Sequence, residues 1–276
     1  IKPITYISPS SFLIWKTCQM KTYLTRLADN PFIPMKQSSA MALGTIVDAG
    51  LKNHINRGKD PRLTLTMLLK KHFNYTGDDR DKLLKQGEEI VKGYIQFGYM
   101  GKIIDRVSAL DLQLFKYHKT RNGHVIPILG IIDAVIDFNT PFDWKTKGFF
   151  SNQASFTPGY TGHMSYESSL NKVSYEWAVQ MLMYSWLLGN VKDHKFAMDQ
   201  ILPNNRVASF ASTIDEDFEI QLELDLEQMW EQIHGRNYRF AYIDKPEPSM
   251  NLCNKYGTLC EAAAYCDEFK IWMEKK

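Results

Sequence analysis

The stretch from residue 130 to residue 146 constrains the fold more than any other part of the chain. It reads Gly-Ile-Ile-Asp-Ala-Val-Ile-Asp-Phe-Asn-Thr-Pro-Phe-Asp-Trp-Lys-Thr. Its β-branched residues predict a strand, and Asn139-Thr140-Pro141 predicts a turn that leads into a second short strand at residues 142–146. We therefore expect a β-hairpin here.

Three charged side chains lie within this hairpin. Asp133 stands inside an apolar strand, where an unpaired carboxylate is costly. Asp143 and Lys145 are two residues apart, so their side chains share one face of the second strand. Two carboxylates that converge with an ammonium group suit a hard divalent cation such as Mg²⁺ or Mn²⁺. The ordinary alternative is that Asp133 caps a strand end and Asp143 and Lys145 form a surface pair.

The pattern Gly-Ile-Ile-Asp133, followed ten residues later by Asp143-Trp144-Lys145-Thr, resembles motifs II and III of the PD-(D/E)XK nuclease superfamily, in its RecB-like exonuclease branch. The resemblance implies that Asp133, Asp143 and the Trp144 carbonyl hold Mg²⁺ or Mn²⁺. It also implies that Lys145 positions the attacking water and that a metal ion stabilises the phosphate.

A second match lies upstream, at Gly44-Thr45-Ile46-Val47-Asp48. It resembles motif I of the same branch, which usually ends in histidine. A carboxylate suits Mg²⁺ or Mn²⁺ better than imidazole does, so the resemblance makes Asp48 a metal ligand. The alternative is a solvated aspartate on the flank of a helix.

A third match lies downstream, where Gln180 and Tyr184 share one face of a predicted helix because four residues separate them. RecB-like nucleases carry a Gln-x-x-x-Tyr motif at this point, close to the catalytic lysine and the DNA. The alternative is that Tyr184 belongs to the core and Gln180 bonds to the backbone.

The four cysteines are distributed as one near the start and three near the end: Cys18, Cys253, Cys260 and Cys266. Some RecB-like nucleases, among them AddB and the CRISPR adaptation nucleases, hold a 4Fe-4S cluster with this arrangement. The resemblance therefore implies a cluster on these four thiolates. The gap of six residues after Cys253 departs from the usual gap of two. Cysteines without metal, and then zinc, are the alternatives.

Periodicity predicts a mixed central β-sheet flanked by helices, with an N-terminal helical part, in agreement with the restriction-endonuclease-like core of the resembled superfamily. We expect one nuclease domain over residues 1–276, made of a helical part (1–104), a nuclease core (105–240) and a cysteine-bearing segment (241–276). Helices are predicted from Ser8 and over 41–56, 63–73, 79–99, 173–188, 215–240 and 258–274; strands over 107–117, 124–137, 142–146, 195–202 and 206–212; and a long loop over 149–169.

Composition excludes little. A net charge of +2 neither requires nor rules out nucleic acid, and 13% aromatic residues leave some for base stacking. No apolar run reaches transmembrane length, and the start does not resemble a signal peptide. We therefore expect a soluble cytoplasmic protein that does not bind membranes, in a bacterial or phage-infected cell.

The resemblance implies a metal-dependent DNA exonuclease that acts on single strands or duplex ends in recombination or repair, with a recombination protein as a further partner. Two alternatives stay open. One is a catalytically inactive DNA-binding or scaffold subunit of a recombination complex, and the other is an endonuclease of the same fold.

Overall fold

A computed structural model describes residues 4–27, 39–57, 79–146, 163–164, 175–190, 192–202 and 206–234, together with short pieces between 254 and 274. These residues belong to two compact units. The first comprises residues 1–36, 115–130 and 219–276, and the second comprises residues 37–114 and 131–218. Whether the chain forms the single nuclease domain with the three parts expected above stays a prediction.

Helices and strands follow in the order that periodicity predicts over most of the described chain. The helices are α1 (Pro9–Thr17), α2 (Gln19–Thr22), α3 (Ser39–Arg57), α4 (Asp79–Gln96), α5 (Tyr175–Leu188) and α6 (Glu216–His234). The strands are β1 (Val107–Lys119), β2 (Val125–Ile136), β3 (Thr140–Thr146), β4 (His163–Met164), β5 (Phe196–Leu202), β6 (Arg206–Ile214), β7 (Asn254–Lys255) and β8 (Thr258–Leu259).

Six strands form one sheet in the order β1-β2-β3-β5-β6-β4, and β7 pairs with β8. Strands β2 and β3 are antiparallel, as are β5 and β6, whereas β3–β5 and β4–β6 are parallel pairs. Parallel neighbours need a crossover, and α5 lies between β3 and β5 in the chain. The sheet is therefore mixed and is flanked by helices, which confirms the predicted α/β fold with its helical N-terminal part.

The core of the second unit is formed where α3 meets α4 and where both α3 and α5 contact β3. Gly87 of α4 makes the approach of α3 possible, since an added Cβ would stand 2.4 Å from Cγ2 of Ile46. Phe142 and Trp144 pack edge to face beneath this helix pair, with ring centroids 5.1 Å apart. The apolar face of α3 thus fixes this helix against the strand that carries Asp143 and Lys145.

The first unit begins with a capped helix. The Ser8 side chain accepts a hydrogen bond from the Ser11 amide and starts α1 as predicted. Helix α1 is tied to α6 by Lys16, whose Nζ lies 2.6 Å from Oδ2 of Asp225. Among the helices that the structure describes, none combines the length and apolar character needed to cross a membrane.

Three local predictions differ from the structure. The hairpin turn lies at residues 137–139, where Asp137 and Phe138 have positive φ, and the predicted turn residue Pro141 pairs with Val135. Arg106 stabilises this earlier turn through its guanidinium, whose Nε lies 3.1 Å from Oδ1 of Asp137.

The other two differences concern short strands. Within the predicted loop over 149–169, His163–Met164 pairs with β6. The segment predicted as a C-terminal helix, residues 258–274, begins with strand β8 and not with a helical turn. The helix predicted over 63–73 lies outside the described residues.

Candidate active site

The hairpin brings Asp133 and Asp143 together. The antiparallel register pairs Ala134 with Phe142, and one further step places Asp133 level with Asp143. The two carboxyl groups lie close enough to influence each other electrostatically. Burial raises the pKa of Asp143 above its ordinary range; the Lys145 ammonium opposes the rise, and Asp133 adds to it.

A chain of contacts leads from Asp143 to α5. Lys145 forms an ion pair with Asp143, and its Nζ also donates to Oε1 of Gln180 at 3.1 Å. Nε2 of Gln180 donates to the Tyr184 hydroxyl, again at 3.1 Å. Burial raises the pKa of Tyr184, so this hydroxyl keeps its proton. The structure therefore places Asp143, Lys145, Gln180 and Tyr184 in one hydrogen-bonded row.

A second group of charges lies where α3 faces β1 and β2. The Nζ of Lys52 is 2.7 Å from Oδ2 of Asp48, 2.6 Å from Oδ1 of Asp111 and 2.8 Å from Oδ1 of Asp133. One ligand atom from each of the three aspartates lies within 4.8 Å of the others. Asp133 belongs to this group and also lies beside Asp143, whose pKa it raises.

Burial is the largest influence on the pKa of Asp48 in this group. Removal from water raises the pKa of Asp48 to about 7, although the Lys52 ammonium lowers it and the Asp133 carboxylate raises it further. Burial and the neighbouring Asp133 carboxylate thus disfavour the charged form of Asp48, whereas a cation beside this carboxyl favours it.

The donor set fits a hard divalent ion. Carboxylate oxygens at this separation suit Mg²⁺ or Mn²⁺, which prefer oxygen ligands. The group contains the predicted ligands Asp48 and Asp133, and it adds Asp111, whereas the predicted ligand Asp143 lies beside Asp133. The indole N–H of Trp144 donates to the Tyr94 hydroxyl at 3.2 Å. A metal contact through the Trp144 carbonyl stays a prediction.

Sequence reasoning missed Asp111 and Lys52. Asp111 stands in an alternating strand, and the structure gives it a φ of 48°, a left-handed conformation that is uncommon outside glycine. Lys52 follows Asp48 by four residues on the helix, a spacing that pairs side chains. That spacing was the available signal, since a lysine so close to the apolar face of α3 needs acidic partners.

Three of the four cysteines are described, and all are thiols rather than halves of a disulfide: Cys18, Cys260 and Cys266. Cys253 lies outside the described residues. The Cys18 sulfur accepts the Lys21 amide at 3.4 Å. Among the described residues, the cysteine sulfurs do not form a group that lies within 4.8 Å of one another. The described cysteines give no support to the expected cluster, which stays a prediction.

The fold and the aspartate group together define a mixed α/β protein with an acidic centre on its sheet. In a search of solved structures, the crystal structure of a "Putative exonuclease" from Eubacterium rectale matches with a TM-score of 0.50 and 12% identity, over 81% of this chain and 77% of that chain. This likeness shows a shared fold. The structure of SSO0001 matches with a TM-score of 0.35 and 14% identity, over 82% of this chain and 95% of that one.

No protein-family model matches the sequence. No curated protein matches it either.

Proposed function

We propose that this protein is a divalent-metal-dependent nuclease of the RecB-like PD-(D/E)XK type, acting on ends of DNA. The observation that carries the proposal is the meeting of Asp133 with two groups: the aspartates around Lys52, and the row through Asp143 and Lys145. The solved structure with the same fold is named an exonuclease, which supports the same assignment.

Asp48, Asp111 and Asp133 would hold Mg²⁺ or Mn²⁺, with Asp143 beside them. When bound, the ion supplies Lewis-acid stabilisation of the charge on a phosphate oxygen. The chain itself fixes Lys145, because its ammonium group lies between Asp143 and Gln180 and contacts both. A lysine fixed in this way can orient a water or donate to a phosphate oxygen while a new P–O bond forms and the old one breaks.

The preferred substrates are single-stranded DNA and duplex ends, and the process is recombination or repair with a protein partner. These points follow from the resemblance of four short motifs in the expected order. The test is release of label from linear single strands, linear duplex and a closed circle, each with Mg²⁺, Mn²⁺ or EDTA. Short products from linear DNA alone support the exonuclease, and discrete fragments from the circle would indicate the endonuclease alternative.

One observation favours the inactive alternative. Lys52 neutralises part of the aspartate group through three ion pairs, as expected for a scaffold that has lost catalysis. DNA binding with no cleavage under any of the metal conditions would support this second function.

The cysteines complete the proposal with a structural 4Fe-4S cluster on Cys18, Cys253, Cys260 and Cys266. Its first support is the distribution of the cysteines, with one near the start of the chain and three near the end. The second is the Lys21 amide that donates to the Cys18 sulfur, since hydrogen bonds to ligand sulfurs tune the reduction potential of a cluster. Protein purified without air should be brown and contain iron. A colourless, iron-free sample, or one that carries zinc, would contradict this part of the proposal without touching the nuclease assignment.

A further inference from the structure

Lys52 is a buried cation in the middle of the aspartate group. Only 8% of its side chain is exposed, and its ammonium lies 2.6 to 2.8 Å from one oxygen each of Asp48, Asp111 and Asp133. An ammonium group has three N–H donors and no acceptor, so these contacts can use all of them. The side chain is held in this position by the three carboxylates rather than by solvent.

The oxygens around Lys52 are also those that define the candidate metal centre. Each of the three aspartates offers one oxygen within 4.8 Å of the others, and each also contacts Lys52. Magnesium binds oxygen at roughly 2.0–2.1 Å and repels a neighbouring ammonium. A metal ion and the Lys52 ammonium therefore compete for the same space and the same carboxylates.

We propose that Lys52 is an internal cation that occupies the aspartate group in the metal-free protein and must swing away when a divalent ion binds. This inference rests on the proposed function of the group as a metal centre. Lys52 keeps three neighbouring carboxylates from repelling one another before the metal arrives. The cost is weaker metal binding, because every binding event must first displace an ion pair.

Charge counting agrees with an exchange of this kind. With all four groups ionised, three carboxylates and one ammonium leave a charge of −2. A single lysine therefore does not neutralise the group, and a divalent cation balances it better. Lys52 sets how much Mg²⁺ or Mn²⁺ is needed to fill the centre, and it is a positioning residue rather than a catalytic one.

The experiment measures Mn²⁺ binding to the metal-stripped full chain from the spin resonance signal of free Mn²⁺, with no DNA present. The variants are Lys52→Met, which keeps the length of the stem, and Lys52→Gln, which keeps a polar end in case the first does not fold. Lys16→Met is the matched control, because Lys16 also contacts an aspartate at 2.6 Å but lies in the first unit. Thermal unfolding in EDTA and in Mn²⁺ is the second measurement.

We expect both Lys52 variants to bind Mn²⁺ about tenfold more tightly than wild type, because placing like charges side by side is costly. Lys16→Met should match wild type. The Lys52 variants should also unfold at a lower temperature in EDTA and gain more stability from Mn²⁺ than wild type does.

The possible failures can be told apart. If wild type binds Mn²⁺ and both Lys52 variants bind it equally or more weakly, Lys52 is only structural and the inference is wrong, while the proposed function stands. If no protein, wild type included, binds Mn²⁺, the metal centre is wrong and the inference falls with it.

Discussion

Nζ of Lys145 lies 3.1 Å from Oε1 of Gln180, so a residue on helix α5 fixes the lysine of strand β3. The contact joins the two motifs that the sequence separates by more than thirty residues. In the proposed mechanism, Gln180 would hold the ammonium in place while it acts on water or phosphate, and this role can be measured.

Replacing Gln180 by alanine should lower kcat by roughly tenfold to a hundredfold, with a smaller change in KM, since the loss affects the orientation of Lys145 and not DNA binding. Steady-state cleavage of a labelled linear DNA is the measurement. Gln221→Ala is the control, because Gln221 makes a comparable side-chain bond to Asp225 in the first unit. Full activity of Gln180→Ala would contradict the positioning role.

Metal affinity should depend on pH through Asp48. Its pKa is raised to about 7 by burial, and a carboxyl must lose its proton to bind a metal. Below pH 7 the protonated form dominates, so Mn²⁺ affinity should fall by up to about tenfold for each unit of decreasing pH and should level off above pH 7. Titrations between pH 5.5 and 8 test this, and Asp48→Asn should flatten the slope. An equally steep slope in that variant would exclude Asp48 as its origin.

Gly87 should be needed for the packing of α4 on α3. Alanine favours helices over glycine by about 1 kcal/mol, yet a Cβ here would stand 2.4 Å from Cγ2 of Ile46. We expect Gly87→Ala to lower the free energy of unfolding by roughly 1–3 kcal/mol in urea titrations. Gly101→Ala is the matched control, as nothing lies within 4 Å of its added Cβ. If Gly87→Ala instead raised the free energy of unfolding, α3 and α4 would have to lie further apart in solution than they do in the structure.

A buried polar triad supports the sheet beneath the site. The Tyr94 hydroxyl donates to Asp199 and accepts the Trp144 indole N–H at 3.2 Å. Tyr94→Phe removes one hydrogen bond from Asp199 and one from Trp144. The free energy of unfolding should therefore fall by roughly 1–3 kcal/mol. Tyr117→Phe is the control, since Tyr117 is 69% exposed. Equal urea midpoints for the two variants would contradict the role of the triad.

Much of the fold follows from periodicity that can be read locally. The apolar spacing of α3 and the Ser8 cap of α1 each predict an element that the structure contains. The turn at residues 137–139 could not be read in this way, because a partner from outside the hairpin, Arg106, stabilises it. Pairing between distant segments, as in β4 with β6, has no local signal at all.

The residues of the candidate site also fall into those that the sequence can group and those that only tertiary packing brings together. Asp133, Asp143 and Lys145 could be grouped from the sequence, because one hairpin carries all three. Asp111 could not, since its contact with Lys52 spans 59 residues along the chain and depends on how α3 packs against the sheet. For Lys52 the local signal was its helical spacing from Asp48. Motif spacing finds residues that one element brings together, and tertiary packing adds the rest.

Asp133 links the aspartate group to the row through Lys145, so its replacement is the most direct test of the account. Asp133→Asn keeps the shape but removes the charge, and Asp105→Asn is the control at an exposed position in the same unit. With Mn²⁺ and labelled DNA ends, Asp133→Asn should cleave at least about a hundredfold more slowly than wild type, and Asp105→Asn should be unaffected. Cleavage by Asp133→Asn at the wild-type rate would contradict the proposed active site.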